Sequence, residues 1–179
     1  NKIPIMREVL ADLDTPLSVY LKLANGPHSY LFESVQGGEK WGQYSIIGLP
    51  CHTLLKIHGN KVSIENAGEV EEEHEVEDPL EFIKAFQARY QVVVDEDLPR
   101  FTGGLVGYFG YDTIRYIEPK LATCPNPDTL NSADILLMVS DEVVVFDNLK
   151  GSMYVIVHVD PTRGGTLGQA ESRIQELIN

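Results

Sequence analysis

Cysteine is nearly absent: Cys51 and Cys124 are the only two in 179 residues, so neither a disulfide framework nor a CxxC redox or zinc pair can be built. A single Cys51–Cys124 disulfide stays open, with two buried thiols the expected reading. No apolar run reaches the roughly 18–20 residues that a membrane-crossing helix needs. The opening Asn1-Lys2-Ile3-Pro4-Ile5-Met6 lacks the apolar stretch of a secretory signal. Positive charge is scarce, with 14 Lys and Arg against 27 Asp and Glu and a formal net charge of −13. Such a surface repels phosphate backbones and anionic lipid, which argues against nucleic-acid and membrane partners. The expectation of a cytoplasmic protein rests on the missing signal and membrane span and on the cysteine usage. Catalytic signatures are missing as well. There is no HExxH, GxSxG or EF-hand loop. Gly103, Gly104, Gly107 and Gly110 lack the GxGxxG spacing, and no Gly-Lys-Ser/Thr follows them. Of the five histidines, His52 and His58 could share a strand face but sit too far apart to chelate one metal unaided.

What is present is a globular composition, 43% hydrophobic, in a chain long enough for one well-buried domain or two small ones. Met6, Val9, Leu10 and Leu13 follow helical spacing, and Pro16 suits the first turn of a second helix capped by Asp14 or Thr15. Strands are expected over 28–34, 44–49, 53–58 and 61–65, with a loop at 36–40 and a two-residue hairpin at Gly59-Asn60. Nine carboxylates between Glu65 and Glu81 form a solvated loop or edge strand, because like charges this dense repel rather than pack. Asp78-Pro79-Leu80-Glu81 starts a helix in which Asp78 caps and Glu81 reaches back. Its buried face carries Leu80, Ile83, Phe86 and Tyr90. The segment Gly103 to Tyr111 is expected in the core of a sheet where another backbone passes close, followed by a short helix capped by Asp112. A polar loop with Pro119, Pro125 and Pro127 precedes strands at 135–139, 143–146 and 153–159 and a last helix over 166–179. Strands interrupted by helices without βαβ alternation define an α+β fold, mainly antiparallel sheets packed with helices.

No general acid–base pair and no metal-ligand cluster can be assembled, so no catalytic residue is assigned. Arg115 suits a carboxylate partner. The best local candidate for binding is the end of the first long strand, Leu31-Phe32-Glu33-Ser34. A strand terminus with one carboxylate, one hydroxyl and released backbone N–H groups matches the charged head of a free amino acid, and apolar neighbours provide a slot for its side chain. A strand that simply ends in an exposed Glu and Ser has the same pattern.

Three motifs occur in order: Leu31-Phe32-Glu33-Ser34, Trp41-Gly42-Gln43-Tyr44-Ser45-Ile46-Ile47-Gly48, and Gly103-Gly104-Leu105-Val106-Gly107-Tyr108-Phe109-Gly110-Tyr111-Asp112 with Arg115-Tyr116-Ile117-Glu118. Together they resemble the N-terminal region of anthranilate synthase component I across essentially the whole chain. The resemblance implies an enzyme that converts chorismate and ammonia to anthranilate and pyruvate with Mg²⁺. A glutamine amidotransferase subunit supplies the ammonia, and L-tryptophan binds beside a Leu-Leu-Glu-Ser motif as feedback inhibitor. That motif is Leu-Phe-Glu-Ser here, so the resemblance assigns Leu31, Glu33, Ser34 and, across the following loop, Tyr44 to the effector pocket. It also implies that residues 1–179 are one N-terminal domain. The chorismate and Mg²⁺ residues belong to a C-terminal chorismate-binding domain outside this sequence, as the non-Met start and unterminated last helix suggest. Aminodeoxychorismate synthase component I, and a free-standing ligand-binding module, are the alternatives.

Overall fold

The computed structural model describes residues 2–34, 42–92, 97–124 and 128–179. The expected loop at 36–40, Trp41, Pro125 and Pro127 lie outside the described residues. The chain divides into two compact units, one from Asn1–Cys51, Tyr90–Gly104 and Ser140–Asn179, the other from His52–Arg89 and Leu105–Val139. Both contain a five-stranded sheet, and every strand pairing with a defined register is antiparallel. The α+β class holds.

The first unit is built on strands β1 (Ile3–Leu10), β2 (Tyr30–Glu33), β3 (Tyr44–Gly48), β9 (Glu142–Asp147) and β10 (Ser152–Val159), in the order β1-β10-β9-β3-β2. Helix α1 (Pro16–Leu23) starts as its sequence dictates: Pro16 occupies the first turn, and Thr15 and Ser18 cap each other reciprocally. Helix α4 (Leu167–Ile178) opens on the same device, with Thr166 and Gln169. Val19 of α1 and Ala170 and Ile174 of α4 join a core with Ile47, Val144, Phe146, Val155 and Val157 on one sheet face. The opposite face carries a second cluster of Val143, Val145, Tyr154 and Ile156, with Met6, Tyr44, Ile46 and Phe101 packed on it.

These two clusters explain why the helix expected over residues 6–13 is a strand instead. Ile5 packs on one cluster and Met6 on the other, so β1 is apolar on both faces and shows no clean alternation. Its eight residues pair in register with β10, from Ile3 opposite Val159 to Leu10 opposite Ser152. Tertiary pairing overrides the local spacing.

The second unit holds β4 (Thr53–His58), β5 (Lys61–Asn66), β6 (Glu69–Glu75), β7 (Gly104–Phe109) and β8 (Ile135–Ser140), ordered β6-β5-β4-β8-β7. The β4–β5 hairpin turns at Gly59-Asn60 as expected. The acidic run forms an edge strand: five of the seven residues of β6 are Glu. Helix α2 (Pro79–Ala88) is capped by Asp78, whose carboxylate accepts from the backbone N–H of both Leu80 and Glu81. Glu81 does not reach back, because its carboxylate is paired with Lys84 one turn on. Ile83 and Phe86 are buried, whereas Leu80 and Tyr90 are only partly so. At the helix end Arg89 lies over the Phe86 ring and bonds Glu72 of β6 at 3.0 Å. Hydrogen bonds from His74 and Arg89 hold the Glu72 carboxyl below its ordinary range.

The glycine-rich segment is a strand, but not a central one. β7 is the terminal strand of its sheet, and Tyr108 and Phe109 are exposed. Close approach is one-sided: a Cβ on Gly107 would collide with the Leu136 carbonyl of β8, while a Cβ on Gly104 would meet nothing within 4 Å. Gly104 is required instead by its φ of +136°. Asp112 falls inside a short 3₁₀ turn, Tyr111–Thr113, rather than capping it, and α3 (Ile114–Ile117) follows.

Gly107→Val is therefore expected to destabilise the chain by about 1–3 kcal/mol through backbone collision, although Gly107 is solvent-exposed. Urea unfolding checks this, and an unchanged midpoint would mean that β7 does not lie against Leu136.

Candidate functional site

The Leu-Phe-Glu-Ser motif lies on β2, an edge strand of the first unit's sheet. Its register against β3 places Leu31 opposite Ile47, Phe32 opposite Ile46 and Glu33 opposite Ser45. Side chains alternate across a strand, so Leu31 and Glu33 share one face and Tyr30 and Phe32 the other. Leu31 packs on the core beneath α1 and α4; Phe32, Glu33 and Ser34 are exposed at the strand end. Tyr44 starts β3 and packs on the opposite face, with Val145 and Ile46. The structure thus brings Leu31, Glu33 and Ser34 together along one strand and sets Tyr44 across the sheet from Leu31.

Two anchors fix this strand. Tyr30 lies across Gly48 so closely that any Cβ there would enter its ring. This explains why Tyr44-Ser45-Ile46-Ile47-Gly48 ends in glycine. The Tyr30 hydroxyl then reaches the buried Ser140 Oγ at 2.8 Å, and its ring sits 4.9 Å from that of Phe32. Burial pushes the Tyr30 phenol up to about 12. Cys51, also buried, shares the Ser140 hydroxyl, and desolvation raises its thiol to about 11.

The second anchor is a polar network at the end of β3 and β9 that sequence reasoning missed. Asp147, 1% exposed, accepts from the backbone N–H of Leu149 and Lys150, each at 3.1 Å, and from Gln43 Nε2 at 3.1 Å. Asn148 donates its side-chain amide to Ser45 Oγ at 3.1 Å and its main-chain N–H to the Gln43 carbonyl at 2.8 Å. Ser45 is the residue opposite Glu33, so the network holds the end of the motif strand from beneath. The only sequence signal was Asn148-Leu149-Lys150-Gly151, legible as a turn but not as a support for a neighbouring strand.

The other candidates are used structurally. Arg115 bonds Asp112 at 2.8 Å and also caps the Leu121 and Thr123 carbonyls. Tyr116 donates to Asp134 Oδ2 at 2.7 Å, and burial together with that carboxylate raises the Tyr116 phenol. Cys51 and Cys124 are not bonded to each other; Cys51 is buried, and Cys124, against expectation, is exposed. Among the described residues no three His, Cys, Asp or Glu side chains converge on a common point, so the donor set does not fit a bound Mg²⁺. No helix among them is long and apolar enough to cross a membrane.

What these features define is an α+β chain with two antiparallel sheets and a motif-bearing edge strand. No family model matches the chain. Curated relatives do. Anthranilate synthase component 1 from Pseudomonas aeruginosa is 58% identical over 178 residues, covering 99% of this chain and 36% of its own length. The same component from Neisseria meningitidis is 50% identical over 180 residues and that from Aquifex aeolicus 42% over 179, with 36% and 35% of their lengths covered. The chain spans about a third of the length of these relatives. The fold of anthranilate synthase component I from Streptococcus pneumoniae TIGR4 superposes with a TM-score of 0.59 over 95% of this chain and 35% of that one, at 22% identity. The chain belongs to the anthranilate synthase component I family and corresponds to its N-terminal region.

Reactivity gives a direct check on the Tyr30–Ser140–Cys51 arrangement. One thiol per chain, Cys124, is expected to react with a disulfide reagent at pH 8 in the folded protein, and two in denaturant. Because the Tyr30 phenol ionises at a higher pH folded than unfolded, its contribution to stability is fully present below pH 10 and lost between pH 10 and about 12. Tyr30→Phe should remove that component from the alkaline unfolding curve.

Proposed function

We propose that this chain is the tryptophan-sensing and partner-binding portion of an anthranilate synthase, acting with a C-terminal chorismate-binding part to form anthranilate and pyruvate in the cytoplasm. The observation that carries the reading is the 58% identity to a component 1 enzyme along 99% of the chain. Chorismate, glutamine-derived ammonia from an amidotransferase subunit, and Mg²⁺ are the reactants and cofactor of that reading. Mg²⁺ has no fitting ligand set among the described residues, so no step in this region is routed through it.

For the effector, the chemistry of the strand end supports the reading. The exposed Glu33 carboxylate suits an ammonium, since hydrogen bonds between ionised groups are short and strong. Ser34 follows at the end of the ladder, where its hydroxyl or backbone N–H suits the carboxylate of the same amino acid. Leu31 and Tyr44 are assigned to the walls of the pocket, from opposite faces of the sheet. Loss of one such polar contact costs about 1–3 kcal/mol, or roughly ten- to a hundredfold in affinity.

The test uses the full-length enzyme with its amidotransferase subunit. Ser34→Phe is expected to raise the tryptophan concentration for half-inhibition at least tenfold, with turnover in the absence of tryptophan near normal. An unchanged inhibition curve rejects the pocket assignment; formation of aminodeoxychorismate instead of anthranilate would select the sister enzyme. Residues 1–179 alone are expected to form no anthranilate from chorismate with glutamine or ammonium salts, as read by anthranilate fluorescence.

A further inference from the structure

β2 is four residues long and stands at the edge of its sheet, paired with β3 alone among the described residues. A strand this short, held on one side, has few ladder bonds to fix its register. A slip of one residue would carry Glu33 to the face that Phe32 now occupies. Side chains therefore have to choose the register. Gly48 is the one glycine of β3 and stands opposite Tyr30, whose ring fills the place a Cβ would take. Shifted by one residue, the ring would meet Ile47 or Leu49, both buried and both carrying a side chain where the ring must lie. The glycine fixes where the ring lies, and the hydroxyl fixes how far it reaches. That hydroxyl meets Ser140 Oγ at 2.8 Å; Tyr30 is 8% exposed and Ser140 1%, so water does not replace either partner. The chain entering the strand is held as firmly. His28 takes a φ of +57°, a conformation that a non-glycine residue keeps where its surroundings over-determine it. Its carbonyl accepts from the Cys51 N–H at 3.0 Å, and Ser29 Oγ donates to the Gly26 carbonyl at 2.8 Å.

We infer that Tyr30 is the positioning residue of the effector strand. Its seat on Gly48 and its bond to Ser140 set the register of Leu31, Glu33 and Ser34, and with it the affinity of the strand end for a free amino acid. The inference deepens the functional reading above and rests on it. Tyr30 acts through the motif and not on the ligand, because its side chain lies on the face opposite Leu31 and Glu33. An amino acid presents its ammonium and its carboxylate at a fixed separation, and consecutive residues have to meet both at once. Hydrogen bonds weaken steeply as distance and angle depart from their preferred values. A small displacement of the strand therefore lowers affinity while every binding group is still present.

The experiment uses the full-length enzyme with its amidotransferase subunit. It compares Tyr30→Phe, which keeps the ring and removes the hydroxyl, with Ser140→Ala, with the double variant and with Ile135→Val. Ile135 is buried in β8, and its truncation controls for a general loss of stability. Tyr30→Phe and Ser140→Ala are each expected to raise the tryptophan concentration for half-inhibition roughly three- to tenfold, with kcat and the chorismate KM near those of the parent. The double variant is expected to shift no further than either single one, since both remove the same bond. Ile135→Val is expected to shift nothing. Unchanged inhibition in Tyr30→Phe, an equal shift in Ile135→Val, or a double shift equal to the product of the two single ones overturns the inference. Hydrogen exchange without tryptophan gives a second reading. The amides of Tyr30–Glu33 are expected to exchange faster in Tyr30→Phe than in Ile135→Val, and equal rates overturn the positioning whatever tryptophan does. Ser34→Phe separates the two levels. If it keeps the parent inhibition curve, the functional reading fails, and exchange still decides whether Tyr30 holds the register. If it relieves inhibition and Tyr30→Phe does not, only the positioning fails.

Discussion

The first unit depends on how one residue, Asp141, is held. β8 ends at Ser140 and β9 begins at Glu142, and these consecutive strands belong to different sheets. The single intervening residue must therefore change the sheet without leaving backbone groups unpaired. Its carbonyl accepts from the His158 N–H at 2.9 Å and from the His158 ring Nδ1–H at 3.0 Å. Its carboxylate takes Lys2, whose ammonium also lies over the Tyr90 ring. Burial lowers the His158 pKa, and the Asp141 carbonyl selects the tautomer that carries Nδ1–H. Next to it, Ser140 supplies the hydroxyl that anchors Tyr30 and hence the motif strand. The site is positioned from a strand connection more than a hundred residues away in sequence.

That distance explains what the sequence could and could not disclose. Short-range signals were legible because their physics is local. Thr15-Pro16 and Asp78-Pro79 start helices, and Gly59-Asn60 turns the β4–β5 hairpin. The glutamates of β6 lie on an edge because repulsion allows little else. β1 was misleading for the converse reason: burial on both faces hides the two-residue period, so Met6, Val9 and Leu10 imitate a helix. Gly107 shows the intermediate case. Its need for a close backbone neighbour was readable, but whether a second neighbour lay on the far side was not, and only the strand order makes β7 an edge.

The candidate site divides along the same line. Glu33 and Ser34 were legible as a strand end bearing a carboxylate and a hydroxyl, and the ladder does end there. Their support was not. Ser45, Asp147, Asn148 and Gln43 come from two sequence regions and meet only because β3 pairs with β9, Tyr44 opposite Asp147 and Ser45 opposite Phe146. A buried carboxylate satisfied by two backbone amides and a glutamine is costly to disturb, since removing either partner strands a polar group away from water. This rigidity gives the motif strand a fixed end from which exposed groups can be presented at constant geometry.

The distribution of charge bears on how such a chain can carry a binding strand and still remain specific. A net charge of −13 spread evenly would oppose any acidic partner and every apolar docking event alike. Instead, much of it is gathered on β6 and the turn that follows, where Glu72 is compensated by Arg89 and His74 and the remaining glutamates face water. On β7 and the residues after it the one arginine, Arg115, is tied to Asp112, so little net charge faces outward there. Concentrating repulsion on one edge of a sheet leaves the other free to use the hydrophobic effect, which is non-directional and needs only area.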